Sequence, residues 1–240
     1  AGIFREADDL GDGELIDRIK DSAKQKGTGR WASIEALKQG VDISMITSAC
    51  TARIMSNHLD EREKAWQLIH SPAVVLSPDK ESFAAMVREA LYTGKIIAYA
   101  QGFSLMQDAS RLYGWNLDLG KIASIFRAGC IIQAVFLNDI THAFEAEPKP
   151  ENLIFDGFFL SRINEHQDSL RQAVSTGVMN GLPIPALCNA VSYLDEFRAK
   201  AAGANLIQAQ RDCFGAHTYE RTDREGVFHH EWRWANDNQH

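Results

Sequence analysis

DKESFAAMVREALYTGKIIAYAQGFSLMQDASRLY, residues 79–113, contains no proline and repeats apolar side chains at spacings of three and four. Ile96, Ile97, Ala100, Phe103 and Leu105 fall on one broad stripe, which predicts a helix with a buried face. A helix of some 30 residues is about 45–50 Å long. That exceeds most globular helices and suits an element that spans a core or crosses an oligomer interface.

The same period continues on both sides, and alternating strand patterns are rare. Upstream, residues 14–24 read as an amphipathic helix. Residues 31–39 and 43–57 read as two more, broken at Gly40, and residues 72–78 as a connector. Downstream, Gly114-Trp115 marks a turn and residues 118–137 read as one helix. Pro148 and Pro150 punctuate the next connection, and residues 158–177 form a second long helix. Pro183 and Pro185 open a helix through Arg198, and a shorter one runs from Ala204 into Gly215. The expected fold is therefore all-α, a multi-helix domain with two long helices. After Gly215 the helical stripe stops. Phe214, Tyr219, Phe228, Trp232 and Trp234 are costly to leave in water, so residues 215–240 are expected to be an extended tail that docks on another surface.

The 240 residues carry a net charge of -7 and are 45% hydrophobic, enough for a sizeable core. The acidic balance argues against a nucleic-acid partner. No apolar run approaches the roughly 20 residues of a membrane span. The four cysteines, Cys50, Cys130, Cys188 and Cys213, form no CxxC pair, which fits a reduced, cytoplasmic protein without a metal or disulfide framework. The start, AGIFREADD, lacks the basic and apolar regions of a secretory signal. It also lacks an initiator Met, so a processed or truncated terminus is expected.

Any anion site in such a chain must be a local cationic pocket. Two stretches qualify: KGTGR, residues 26–30, and QRDCFGAHTYE, residues 210–220. Each combines cationic or hydroxyl side chains with glycine, a mix that suits a phosphorylated or carboxylated small molecule. Residues 27–32, GTGRWA, formally match the dinucleotide fingerprint G-x-G-x-x-A. The fingerprint requires a preceding strand and an acidic residue about 20 positions on. Residues 14–26 read as helical and position 47 is Thr, so a Rossmann site is rejected here. The remaining readings are an anion site at a helix N-terminus near Arg30 or a plain glycine turn. Arg53 reads by itself as an ordinary surface arginine. Arg211 and His217 bracket Gly215-Ala216, where a turn would bring both to one ligand; the alternative is a helix C-cap with solvated flanks. His229-His230 reads as solvated tail, since no further ligand has metal spacing nearby.

KGTGRWASIEALKQGV (26–41) followed by TARIMS (51–56) resembles the corresponding region of the decarboxylating 6-phosphogluconate dehydrogenases. So do GWNLDLGKIASIFRAGCIIQAVFL (114–137), DSLRQAVSTGVMNGLPIPALCNAVSYLD (168–195) and LIQAQRDCFGAHTYER (206–221). The resemblance runs from about residue 14 to 232. It implies a C-terminal helical domain, with residues 1–214 for substrate binding and dimerisation and residues 215–240 as a tail threading into the partner of a homodimer. It implies that Lys26, Thr28 and Arg53 of one subunit bind the phosphate of 6-phosphogluconate, and that Arg211 and His217 reach it from the other. Arg30, Ser48 and Cys213 stand where the family commonly has Lys, Glu and Tyr. The family's N-terminal Rossmann domain, its NADP site, and the helix bearing its Lys base, His-Asn pair and Glu acid have no counterpart in these residues. No catalytic residue is therefore assigned, no metal is needed, and NADP is expected to be held mainly by the absent domain. The alternative is a non-enzymatic helical dimerisation or sugar-phosphate-binding module derived from the same family.

Overall fold

The computed structural model describes residues 2–74 and 79–232, so Trp234 and the end of the expected 72–78 connector lie outside the described residues. It consists of helices and one small antiparallel strand pair, and divides into two compact units, Ala1–Tyr193 and Leu194–His240.

The first unit is organised by α4 (Lys80–Tyr113), the 34-residue helix expected from residues 79–113. Asp79 caps it through Ser82 N–H at 2.9 Å. Gly114, in the left-handed conformation at φ 65°, ends it. Ile96, Ile97, Ala100 and Phe103 are at most 1% exposed, which bears out four members of the expected stripe, while Leu105 is only half-buried. The second long helix, α7 (Gly157–Met179), starts where Asp156 caps Phe158 and Phe159. On α7, His166 meets Tyr92 edge-on and Ser169 donates to Glu89, so α7 runs antiparallel to α4. Between the two helices sits an aromatic cluster. Phe136 meets Tyr92, Tyr99 and Phe159 edge-on, with ring centroids 5.4–5.8 Å apart.

The short helices α1 (Thr28–Gln39), α2 (Ser44–Ser56) and α3 (Leu59–Leu68) precede α4. The N-cap of α2 is Ile43, which cannot cap with its side chain. The buried Gln101 of α4 does so instead. It accepts from Met45 N–H at 3.1 Å and donates to Ser44 Oγ at 3.0 Å, fixing α2 to the long helix. Beyond α7, the helix α8 (Pro185–Arg198) joins in through Asn189, which donates to the buried Ser48 of α2 at 2.7 Å. The boundary between the units falls within α8.

Two expected helices are corrected. Residues 118–137 are not one helix but α5 (Leu119–Ile125) and α6 (Leu137–Glu145), with a non-helical segment between them. Gly129 is left-handed at φ 67°. Side chains of α4 satisfy the freed carbonyls: Lys95 Nζ donates to Gln133 O at 2.9 Å, and Tyr99 Oη to Ile132 O. The apolar run CIIQAV misled the reading, because Ile131, Ile132 and Val135 are exposed and the inward-facing Phe136 and Leu137 come only after it. Residues 14–24 make only the 3-10 turn Leu15–Arg18 and then run on as irregular chain. Tertiary bonds replace the helical ones. Ser22 Oγ donates to Asn57 Oδ1 at 2.7 Å, Ser56 Oγ accepts from Ala23 N–H at 2.9 Å, and Arg62 binds both the carboxylate and the carbonyl of Asp21.

The second unit holds the end of α8, the helix α9 (Ala204–Gly215), and a hairpin of β1 (Tyr219–Glu220) and β2 (Val227–Phe228). Tyr219 pairs with Phe228 and Glu220 with Val227. Among the described residues, no helix is long and apolar enough to cross a membrane.

Candidate functional site

Gly27 decides the first cluster. Its φ of 103° is open only to glycine, and its carbonyl accepts the first helical bond of α1 from Trp31 N–H at 2.9 Å. The chain before it is neither helix nor strand. Thr28, Gly29 and Arg30 then begin α1, with amide groups that have no intrahelical acceptor and a dipole whose positive end lies there. Gly29 has a second role. A Cβ on it would lie 2.4 Å from Cys50 Sγ, so α1 and α2 cross in close contact at this point. Ser33 Oγ donates to Gly29 O, and Thr47 Oγ1 donates to Ser33 Oγ at 3.0 Å, which ties the crossing together.

That crossing brings Lys26 and Thr28 to Arg53, one helix later in sequence, around a recess of about 230 Å³. Arg53 sits in the last turn of α2, where the helix dipole favours a cation. Its carbonyl accepts from Ser56 Oγ and Asn57 Nδ2. Among the described residues, no carboxylate lies within 4.0 Å of the charged groups of Lys26 or Arg53. Two uncompensated cations, a hydroxyl and a helix N-terminus suit a small anion.

Gly29→Ala is expected to destabilise the domain by about 1–3 kcal/mol through overpacking against Cys50. Cys50→Ala in the same chain is expected to restore most of that loss. Urea unfolding of the two single variants and the double variant checks this; strict additivity would contradict the crossing described.

The second cluster lies in the second unit. Arg211 and His217 flank the end of α9, as the sequence suggested, but Ala216 rather than Gly215 is the left-handed cap, at φ 50°. Thr218 is left-handed too, at φ 61°, an outlier for a β-branched residue. The His217 ring lies directly over Gly215, where a Cβ would be 2.6 Å from Cε1. His217 Nδ1 is 3.0 Å from Arg211 O. A carbonyl only accepts, so Nδ1 carries the proton. Arg211 Nη1 donates to Gln208 Oε1 at 3.0 Å, and Gln208 Nε2 donates to Thr218 O at 2.6 Å.

Sequence reasoning passed over Asp212. It is fully buried, and its carboxylate accepts four bonds. Oδ1 takes Thr218 N–H at 2.9 Å and His229 Nδ1 at 2.8 Å. Oδ2 takes His230 N–H at 3.0 Å and Trp232 Nε1 at 2.9 Å. Burial alone would raise its pKa, but the bonds from His229, Trp232, His230 and Thr218 hold it well below the usual carboxylate range. The available signal was an acidic residue in the last turn of a helix, where it opposes the dipole and needs another reason to be there. His229 and His230 remain exposed, as the tail reading had it, but both are tied to Asp212. Among the described residues, no group of three or more His, Cys, Asp or Glu could hold a metal ion.

The fold and these clusters define a helical domain built on two long antiparallel helices. A family model described as 6-phosphogluconate dehydrogenase, C-terminal domain, matches residues 1–232, and the chain belongs to that family. Among its relatives, the "6-phosphogluconate dehydrogenase, decarboxylating" of Lactococcus lactis subsp. lactis (strain IL1403) is 47% identical over 230 residues, 96% of this chain and 49% of that one. That of Staphylococcus aureus (strain N315) is 48% identical over 218 residues, covering 91% of this chain and 47% of its own length. A solved structure of Plasmodium falciparum 6-phosphogluconate dehydrogenase, studied in its apo form and in complex with its cofactor NADP+ and its substrate 6-phosphogluconate, aligns with a TM-score of 0.92. It is 39% identical and covers 96% of this chain and 50% of that one. The chain spans about half the length of the relatives it matches.

Proposed function

We propose that this chain is the substrate-binding and dimerisation half of an NADP-dependent 6-phosphogluconate dehydrogenase. Such an enzyme oxidises 6-phosphogluconate at C3, releases CO2 from the β-keto acid and protonates the enol to give ribulose 5-phosphate. In this reading Lys26, Thr28 and Arg53 grip the phosphate from one subunit. Arg211 and His217 reach it from the other. Residues 1–214 form the helical body, and residues 215–240 form the tail that docks on the partner. The observation that carries the reading is the recess at the start of α1, where Lys26, Thr28 and Arg53 meet without a carboxylate to neutralise them.

NADP supplies the hydride acceptor when bound. The glycine loop at residues 27–32 does not fit it, because no strand feeds the loop. The contribution of these residues is to bind and orient the sugar phosphate, so that binding energy remote from C3 positions the reacting carbon.

The test is reduction of NADP by 6-phosphogluconate, followed spectrophotometrically in the complete enzyme and in residues 1–240 alone. Turnover is expected in the first and none in the second. Turnover by residues 1–240 above the no-enzyme blank would contradict the reading, and so would absence of turnover from both.

A further inference from the structure

We propose that Asp212 is the positioning residue of the Arg211–His217 pair, locking both to the returning tail through its buried carboxylate. The inference rests on the reading that Arg211 and His217 bind the substrate, and extends it to a buried residue whose carboxylate is taken up by four donors of its own chain.

Asp212 is adjacent to Arg211 and fully buried, while Arg211 is exposed. Both carboxylate oxygens are used, each by two donors. Thr218 N–H belongs to the turn that carries His217. The other three donors come from His229, His230 and Trp232, beyond the hairpin. A single carboxylate therefore fastens the turn and the tail to the last turn of α9.

The turn needs that fastening. His217 lies between two left-handed non-glycine residues, Ala216 and Thr218. Such backbone costs energy and persists only where surrounding bonds over-determine it. The Thr218 N–H bond to Asp212 and the Gln208 bond to Thr218 O supply that constraint. Gln208 also binds Arg211, so the guanidinium and the turn share one support. The His217 ring, packed on Gly215 with Nδ1 committed to Arg211 O, keeps Nε2 as the ring atom for a further partner. Losing the tail bonds would leave Asp212 buried with unmatched acceptors and the strained turn with less to hold it. The order of residues 229–232 and the geometry of the anion-binding pair thus form one cooperative unit.

Asparagine cannot replace this group, because its amide nitrogen would confront two donors. Asp212→Asn in the complete enzyme is expected to raise KM for 6-phosphogluconate about tenfold or more and to leave KM for NADP within about twofold. Trp232→Phe removes one donor and keeps an aromatic ring; a rise of roughly threefold to tenfold is expected. In an Arg211→Ala His217→Ala background, Asp212→Asn should add less than about twofold, because there is no longer a pair to position. A role in stability alone would act as strongly in that background as in the wild type. If Arg211→Ala raises the substrate KM while Asp212→Asn and Trp232→Phe leave it within twofold, the positioning role is overturned and the substrate reading survives. If Arg211→Ala itself changes nothing, the substrate reading fails first. Should Asp212→Asn not fold, Trp232→Phe decides: a rise confined to the substrate KM supports the proposal, and an unchanged value overturns it.

Discussion

Arg211→Ala in the complete enzyme is expected to weaken 6-phosphogluconate binding roughly 10- to 100-fold, with KM for NADP nearly unchanged. The magnitude follows from the site's composition. Arg211, Lys26 and Arg53 would surround a phosphate dianion, and each charge-assisted bond to a largely desolvated anion contributes about 1.5–3 kcal/mol. Arg211→Lys should recover only part of the loss, because a planar fork that grips two oxygens becomes a point charge. His217→Ala should act in the same direction by less. Steady-state kinetics with each substrate varied in turn separates the outcomes. A fall in kcat with unchanged substrate KM would remove Arg211 from the binding site.

The long helices were legible because nothing competes with their periodicity. α4 has no internal proline, its stripe is buried, and Asp79 and Gly114 mark its ends. α7 is announced by Asp156. Residues 118–137 carry as strong an apolar signal, yet much of it faces outward, and hydrogen bonds from Lys95 and Tyr99 hold the break open. Periodicity reports which residues are apolar and not what will cover them. α3 was missed for the opposite reason: none of its residues is buried, so it leaves no stripe. The hairpin has two residues per strand, too few for alternation to register.

The candidate site was half legible. The glycines of KGTGR signalled a tight turn into a helix, and the structure adds why both are needed: Gly27 for its φ and Gly29 for the contact with Cys50. Arg53 gave no signal of its own, since an exposed helical arginine is ordinary. Only the crossing of α1 and α2 brings it to Lys26. Asp212 could not be read from its neighbours in sequence, because three of its four partners lie 17–20 positions downstream.

The central claim is that one phosphate site is built from two copies of the chain. Mixed dimers test it most directly, assayed at 6-phosphogluconate concentrations well below the wild-type KM. When one subunit carries Arg53→Ala and the other Arg211→Ala, both lesions fall in one site and the second site is intact. Activity is then expected at about half the wild-type value. When a single subunit carries both substitutions and its partner is wild type, each site loses one arginine. Activity is then expected at about a tenth or less, given the roughly tenfold or larger loss per arginine. Equal activity in the two mixtures would contradict the account, because it would mean that Arg53 and Arg211 do not meet across subunits.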